Sequence, residues 1–395
     1  MKIKLYRDYF LMVSLFVLLL GGSNALSILS LESKLESLGY AFFLCLIFYT
    51  VTKSIKNRIG NFLFFIAILF MFSIGIIEQN MDSIIKVRLI FTMVVIGAVP
   101  VLSEDVILYK KTIANISYII LLSCVVSSLL CIGMGNSLLD RSVEGLWSFG
   151  FNGGMLYKNF FASDLIAAFI GFALYLKMNI VSKKEKIKIQ LIMLTLVLLL
   201  FFTNSRGAYI IFIVFLLAFY KEKIIPLPPV LKKIFFLFSS IVIVIVALLT
   251  FQSFALASET YMYRIRGIIN YFDYISADWI HLMYGYAELA FADPDVRYVD
   301  ALRTVLGFDG SFEFAFLNIF IKNGLIGLIG YLLIFARFYI ASFDKNRIYG
   351  KYMRPILFAL IVSALVESYI SNIHAFFGVY CYLLLSILGR TEKLK

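Results

Sequence analysis

The chain has 395 residues, 62% of them hydrophobic and 15% charged, with a mean hydropathy of +0.94. Soluble domains hold about 45–50% apolar and about 25% charged residues, so a soluble globular protein, a disordered chain and a barrel of alternating strands are excluded. The net charge of +12 is read in such a chain as membrane topology before nucleic-acid affinity.

Apolar runs fall near 9–30, 38–52, 60–77, 88–103, 113–135, 158–178, 189–203, 207–220, 234–252, 324–342, 355–370 and 376–389. A membrane-spanning helix needs about 20 such residues. The expected fold class is therefore an all-α polytopic membrane protein with about twelve transmembrane helices. The basic start at Lys2, Lys4 and Arg7 runs into the first apolar segment without a small-residue cleavage site, and so reads as a first span.

Basic residues cluster in alternate connectors, at Lys53–Arg58, Lys110–Lys111, Lys183–Lys188, Lys221–Lys233, Arg337–Arg354 and Arg390–Lys395. Placing these clusters in the cytoplasm puts both termini there. The segment 189–220 is interrupted only by Thr203-Asn-Ser-Arg-Gly207, with lysines on both sides. Keeping both lysine groups on one face makes it a hairpin with Arg206 at the extracytoplasmic turn. The chain then divides into spans one to nine over 1–252, one large extracytoplasmic loop over 253–322, and three last spans over 323–395.

That loop is the expected seat of any chemistry, because connections longer than about 15 residues are usually functional or unstructured. It carries Glu259, Asp273, Asp278, Glu288, Asp309 and Glu313 among tyrosines and Trp279. Aromatic rings stack on the C–H faces of sugars while carboxylates accept from hydroxyls, although interfacial aromatics would look similar. Arg206, Arg264 and Arg266 offer planar charged forks that match phosphate oxygens. An arginine at membrane depth needs a partner, and a lipid diphosphate would be one. His281 follows Asp278 by three positions, a spacing that would let a carboxylate orient an imidazole base on a helix. His374 stands in a short turn and reads as structural. Asp164 and Glu367 look intramembrane. The four cysteines lie inside apolar runs and read as packing residues. No phosphate loop, dinucleotide fingerprint or metal-ligand spacing is present in the sequence, so no cofactor and no metal are expected.

This layout resembles the bacterial polysaccharide polymerase family (Wzy type, including O-antigen and colanic-acid polymerases) and the related O-antigen ligases. The matching stretches are Gly153-Gly-Met-Leu-Tyr-Lys-Asn-Phe-Phe-Ala162, Thr203-Asn-Ser-Arg-Gly-Ala208, and Gly310-Ser-Phe-Glu-Phe-Ala-Phe-Leu-Asn-Ile-Phe-Ile-Lys-Asn-Gly-Leu-Ile-Gly327. The resemblance implies a GT-C-like layout and an inverting, metal-independent glycosyltransferase in the bacterial inner membrane. Its active site would face the periplasm and act on undecaprenyl-diphosphate-linked oligosaccharide. Arg206, Arg264 and Arg266 would hold the diphosphate, and Lys158, Asn159, Asp278 and Trp279 would contact substrate. The base would be His281, Asp309 or Glu313. A protein that regulates chain length is an implied partner, with membrane lipid and without nucleic acid. Ligases carry a histidine shortly before the Gly-Leu-Ile-Gly span, where this chain reads Gly307-Phe-Asp-Gly-Ser311. That favours the polymerase over the ligase. A transporter of the lipid-linked unit remains the rival of another class, with Asp164 and Glu367 as its best residues.

Overall fold

The computed structural model describes residues 2–78, 83–141, 149–179, 181–224, 269–273, 279–285 and 315–390. These are overwhelmingly helical. The helices are α1 (Lys2–Leu20), α2 (Asn24–Ile28), α3 (Glu32–Glu78), α4 (Ser83–Leu102), α5 (Lys110–Gly133), α6 (Lys158–Met178), α7 (Lys183–Thr203) and α8 (Arg206–Ile224). After α8 come α9 (Trp279–Tyr284), α10 (Ala315–Ala341), α11 (Gly350–Val366) and α12 (Phe376–Leu388). One antiparallel pair, β1 (Leu139–Arg141) and β2 (Phe149–Phe151), sets Leu139 opposite Phe151.

Among the described residues, seven stretches are long and apolar enough to cross a membrane: Glu32–Lys53, Ile59–Ile77, Lys86–Asp105, Lys110–Gly133, Lys158–Met178, Lys183–Thr203 and Ala315–Ala341. The chain is thus a helical membrane protein. The apolar runs expected near 9–30, 207–220, 355–370 and 376–389 are occupied by helices of 19, 19, 17 and 13 residues. The run 234–252 lies outside the described residues, as does most of 253–322.

Helix α3 folds back on itself. The rings of Phe48 and Phe65 stand 6.1 Å apart, although 17 residues of straight helix would separate them by about 25 Å. The reversal falls between Lys53 and Ile59, where the sequence pattern turns basic. Helix α10 is already helical at Ala315, ahead of its apolar run, and breaks at Gly324, whose φ of 63° and ψ of −164° leave the helical region.

Helix α12 is the hub, with every one of its residues buried. It crosses α6 where Gly171 leaves room: a Cβ there would clash with Ser117 Oγ of α5 and the Tyr380 hydroxyl. At one end of the bundle Arg390 donates to the Ile107 carbonyl over 3.0 Å and pairs with Asp105 at 3.5 Å, and Thr112 donates to Asp8 over 2.8 Å. At the opposite end the Asn24 amide donates to the Gly154 carbonyl over 2.9 Å, and the Leu156 amide to the Gly22 carbonyl over 3.0 Å. This second end gathers the polar groups that follow.

Candidate functional site at the starts of two helices

Helices α7 and α8 meet in a turn of two residues. Asn204 takes the left-handed conformation, φ 54°, which ends α7, and α8 starts at Arg206. The arms then diverge, α7 packing on α6 and α8 on α11. Ser205 is held in the turn because its hydroxyl donates to Asn159 Oδ1 over 2.8 Å. The Asn159 amide in turn donates to Glu367 Oε1 over 3.3 Å, and Tyr369 donates its hydroxyl to the Asn159 carbonyl over 3.0 Å. Asn159 therefore ties the start of α6, the start of α8 and the connector 367–375 into one unit. Glu367 and Ser205 are both buried.

Two cations border this unit. Lys158 opens α6, and its stem lies close to Gly150 of β2, where a Cβ would stand 2.6 Å from Lys158 Cδ. It is within electrostatic reach of Arg206, which opens α8, and of Asp140. The amino ends of two helices thus converge, each carrying a cation at its first position. Unpaired N–H groups and aligned peptide dipoles make such ends favourable to anions.

A cavity of about 320 Å³ lies beside this unit, flanked by Tyr157 and Phe160, the neighbours of Lys158 and Asn159. Its polar walls are Glu32, Glu36, Asp164, Asn372 and His374. His374 Nδ1 and Glu36 Oε2 are 2.5 Å apart. Tyr40 donates its hydroxyl to the Ile373 carbonyl and anchors the same connector. Desolvation by the surrounding protein opposes the charged form of this partly exposed imidazole, but the hydrogen bond and charge of Glu36 outweigh it. Lys322 adds to the opposition and Glu32 to the support, so His374 titrates above the usual histidine range. Among the described residues no group of three or more His, Cys, Asp or Glu could hold a metal ion.

Of the residues singled out from sequence, the structure brings Lys158, Asn159 and Arg206 together. His281 and Trp279 lie on α9, which packs against α10 and the second limb of α3. The Gly285 amide donates to the His281 carbonyl over 2.8 Å and closes that helix, while the Trp279 side chain is 66% exposed. Arg264, Arg266, Asp278, Asp309 and Glu313 lie outside the described residues. Sequence reasoning missed Ser205, Tyr369 and Glu36, took His374 as structural, and set Asp164 and Glu367 aside as transport residues. The available signal was a carboxylate or histidine at the edge of an apolar run, which says nothing about its partner.

No protein-family model and no curated protein matches this chain.

Proposed function

We propose that this chain is a bacterial inner-membrane polysaccharide polymerase. It transfers a growing glycan from undecaprenyl diphosphate to the next lipid-linked repeat unit, as an inverting, metal-independent glycosyltransferase. The observation that supports this reading best is the convergence of Lys158 and Arg206 at two helix starts around Asn159. Two cationic side chains beside two helix amino ends suit a diphosphate, whose charge grows as the anomeric bond breaks. Arg206 and Lys158 hold the donor diphosphate, joined by Arg264 and Arg266 from the loop, and stabilise the leaving group. Asn159, Asp278 and Trp279 orient the sugar. The family resemblance implies Asp309, Glu313 or His281 as the base that takes the acceptor proton; Asp309 and Glu313 lie outside the described residues, and the cavity beside Asn159 offers another group for this role. The basic end of the bundle faces the cytoplasm with both termini, and the site faces the periplasm. A regulator of chain length is the expected protein partner.

The test is a deletion strain, with surface polysaccharide resolved on a gel beside the extracted lipid-linked glycans. Single repeat units on the lipid core without a ladder support the polymerase. Bare core with long polymer still on the carrier would assign the ligase reaction instead.

A transporter is the second reading, favoured by one observation. Asp164 is buried on α6 with no hydrogen-bonding partner among the described residues, and an ionisable residue inside a membrane helix is a common mark of an ion or substrate pathway. Reconstituted protein that moves lipid-linked sugar across a bilayer without elongating it would establish that reading.

A further inference from the structure

Three features of the cavity beside Asn159 go beyond the diphosphate site. Asp164 lies on its wall, 5% exposed, and forms no hydrogen bond with any described residue. A buried carboxyl left unpartnered at the edge of an open space is costly unless something that enters the space satisfies it. Glu36 and His374 form a close pair on the same cavity, with Nδ1 taken by Glu36 and Nε2 left as the second ring nitrogen. The His374 side chain is 60% exposed, so this pair borders the open side. The remaining walls include the rings of Tyr157, Phe160 and Phe376. A volume of about 320 Å³ falls at the small end of ligand pockets, roughly 300–1,000 Å³.

We infer that this cavity is the acceptor subsite, taking the terminal sugar of the incoming repeat unit, and that His374, oriented by Glu36, is the base that activates its hydroxyl. The inference rests on the polymerase reading and assigns to its acceptor a place and a base. Asp164 hydrogen-bonds sugar hydroxyls that do not react, and the aromatic rings cover the C–H faces. In the transfer, His374 Nε2 takes the proton of the attacking hydroxyl, and that oxygen forms the new bond to the anomeric carbon. The bond from that carbon to the donor's diphosphate oxygen breaks, and its electron pair leaves with the diphosphate. Arg206 and Lys158 face that charge, and the imidazolium is held by Glu36. The arrangement is compact because Tyr157 and Phe160 of the cavity flank Lys158 and Asn159 of the cationic site in sequence.

The groups that face His374 are Glu36 and Glu32 from α3, Lys322 from α10 and Asp164 from α6. Neutral imidazole is the working form, so turnover rises with pH through the titration of His374. Because Glu36 raises that titration, Glu36→Gln moves the rising limb to lower pH as well as slowing the reaction.

The test is elongation of purified lipid-linked repeat units by the full chain in proteoliposomes, followed as a function of pH. Expected are a loss of roughly 10²–10⁴-fold for His374→Ala and His374→Gln, and the downward shift of the limb for Glu36→Gln. Asp164→Asn is expected to raise KM for the acceptor with kcat little changed. Donor binding and the elution profile of each variant remain those of the wild type. If the wild type elongates and His374→Gln turns over equally fast, or if the Glu36→Gln limb stays where it was, the base assignment is overturned while the polymerase stands. If wild-type protein binds donor but never elongates it, the polymerase reading itself falls, and the subsite with it.

Discussion

Gly207 lies directly against the carboxylate of Glu367: a Cβ at Gly207 would stand 2.7 Å from Glu367 Oε1. The same oxygen accepts from the Asn159 amide, so the bare backbone at the start of α8 leaves room for the carboxylate that holds Asn159. Gly207→Val displaces Glu367 and unties Asn159. Crowding of this kind costs about 1–3 kcal/mol, read as a lowered unfolding temperature in detergent. The account also expects loss of long polymer in cells, with Gly207→Ala affected less. Normal ladders and an unchanged unfolding temperature for Gly207→Val would contradict it.

The pair of Glu36 and His374 makes stability depend on pH with a definite sign. His374 titrates above its ordinary value in the folded protein. Its contribution is therefore complete at pH below the usual histidine value of about 6.5 and is lost as pH rises through the raised folded value. Unfolding temperature should fall over that window in the wild type, and the fall should flatten in Glu36→Gln. Equal slopes in the two proteins would show that the contact carries no linkage. The steps are opposite for catalysis, where the neutral imidazole is needed.

Gly285 and Gly324 are pressed together where α9 meets the break in α10. A Cβ at Gly285 would lie 2.6 Å from the Gly324 amide nitrogen, and both residues have positive φ, 82° and 63°. An alanine at either position meets backbone that cannot yield and a conformation costing on the order of 1–3 kcal/mol for a residue with Cβ. Gly324→Ala is expected to destabilise the protein by that order in thermal unfolding and to loosen α9. Heightened proteolysis near Trp279 in that variant would report the loosening. A stable Gly324→Ala protein with unaltered cleavage would mean that the packing of α9 on α10 is unimportant.

The helical class was legible from composition, since long apolar runs admit few other structures in a bilayer. The turn around Arg206 was legible too, because Thr203–Gly207 is the one polar interruption between two lysine-flanked apolar runs. Lys158 could be singled out by its position at the start of a run. The rest of the site depends on distant pairs. Asn159 and Glu367 are 208 residues apart, and His374 and Glu36 are 338 apart. Apolar periodicity records burial along one segment and carries no signal of which segment lies opposite. Asp164 and Glu367 were visible as buried carboxylates, but their environment, one unpartnered beside a cavity and one bonded to Asn159, comes only from the packing of α6 against the last connector. The reversal inside α3 was expected as a connector, whereas the helical backbone either side of it continues almost without interruption.

The measurement that tests the central claim most directly is equilibrium binding of undecaprenyl-diphosphate-linked repeat unit to the purified full chain, with undecaprenyl monophosphate as the reference ligand. Arg206 and Lys158 are the groups at issue. A charge-assisted hydrogen bond contributes about 1.5–3 kcal/mol, which is roughly 10–150-fold in affinity. The account predicts that Arg206→Ala and Lys158→Ala each weaken diphosphate binding by that order, while Arg206→Lys loses less and monophosphate binding changes less. Wild-type affinity for the diphosphate in both alanine variants, with the protein intact, would contradict the assignment of this site to the donor.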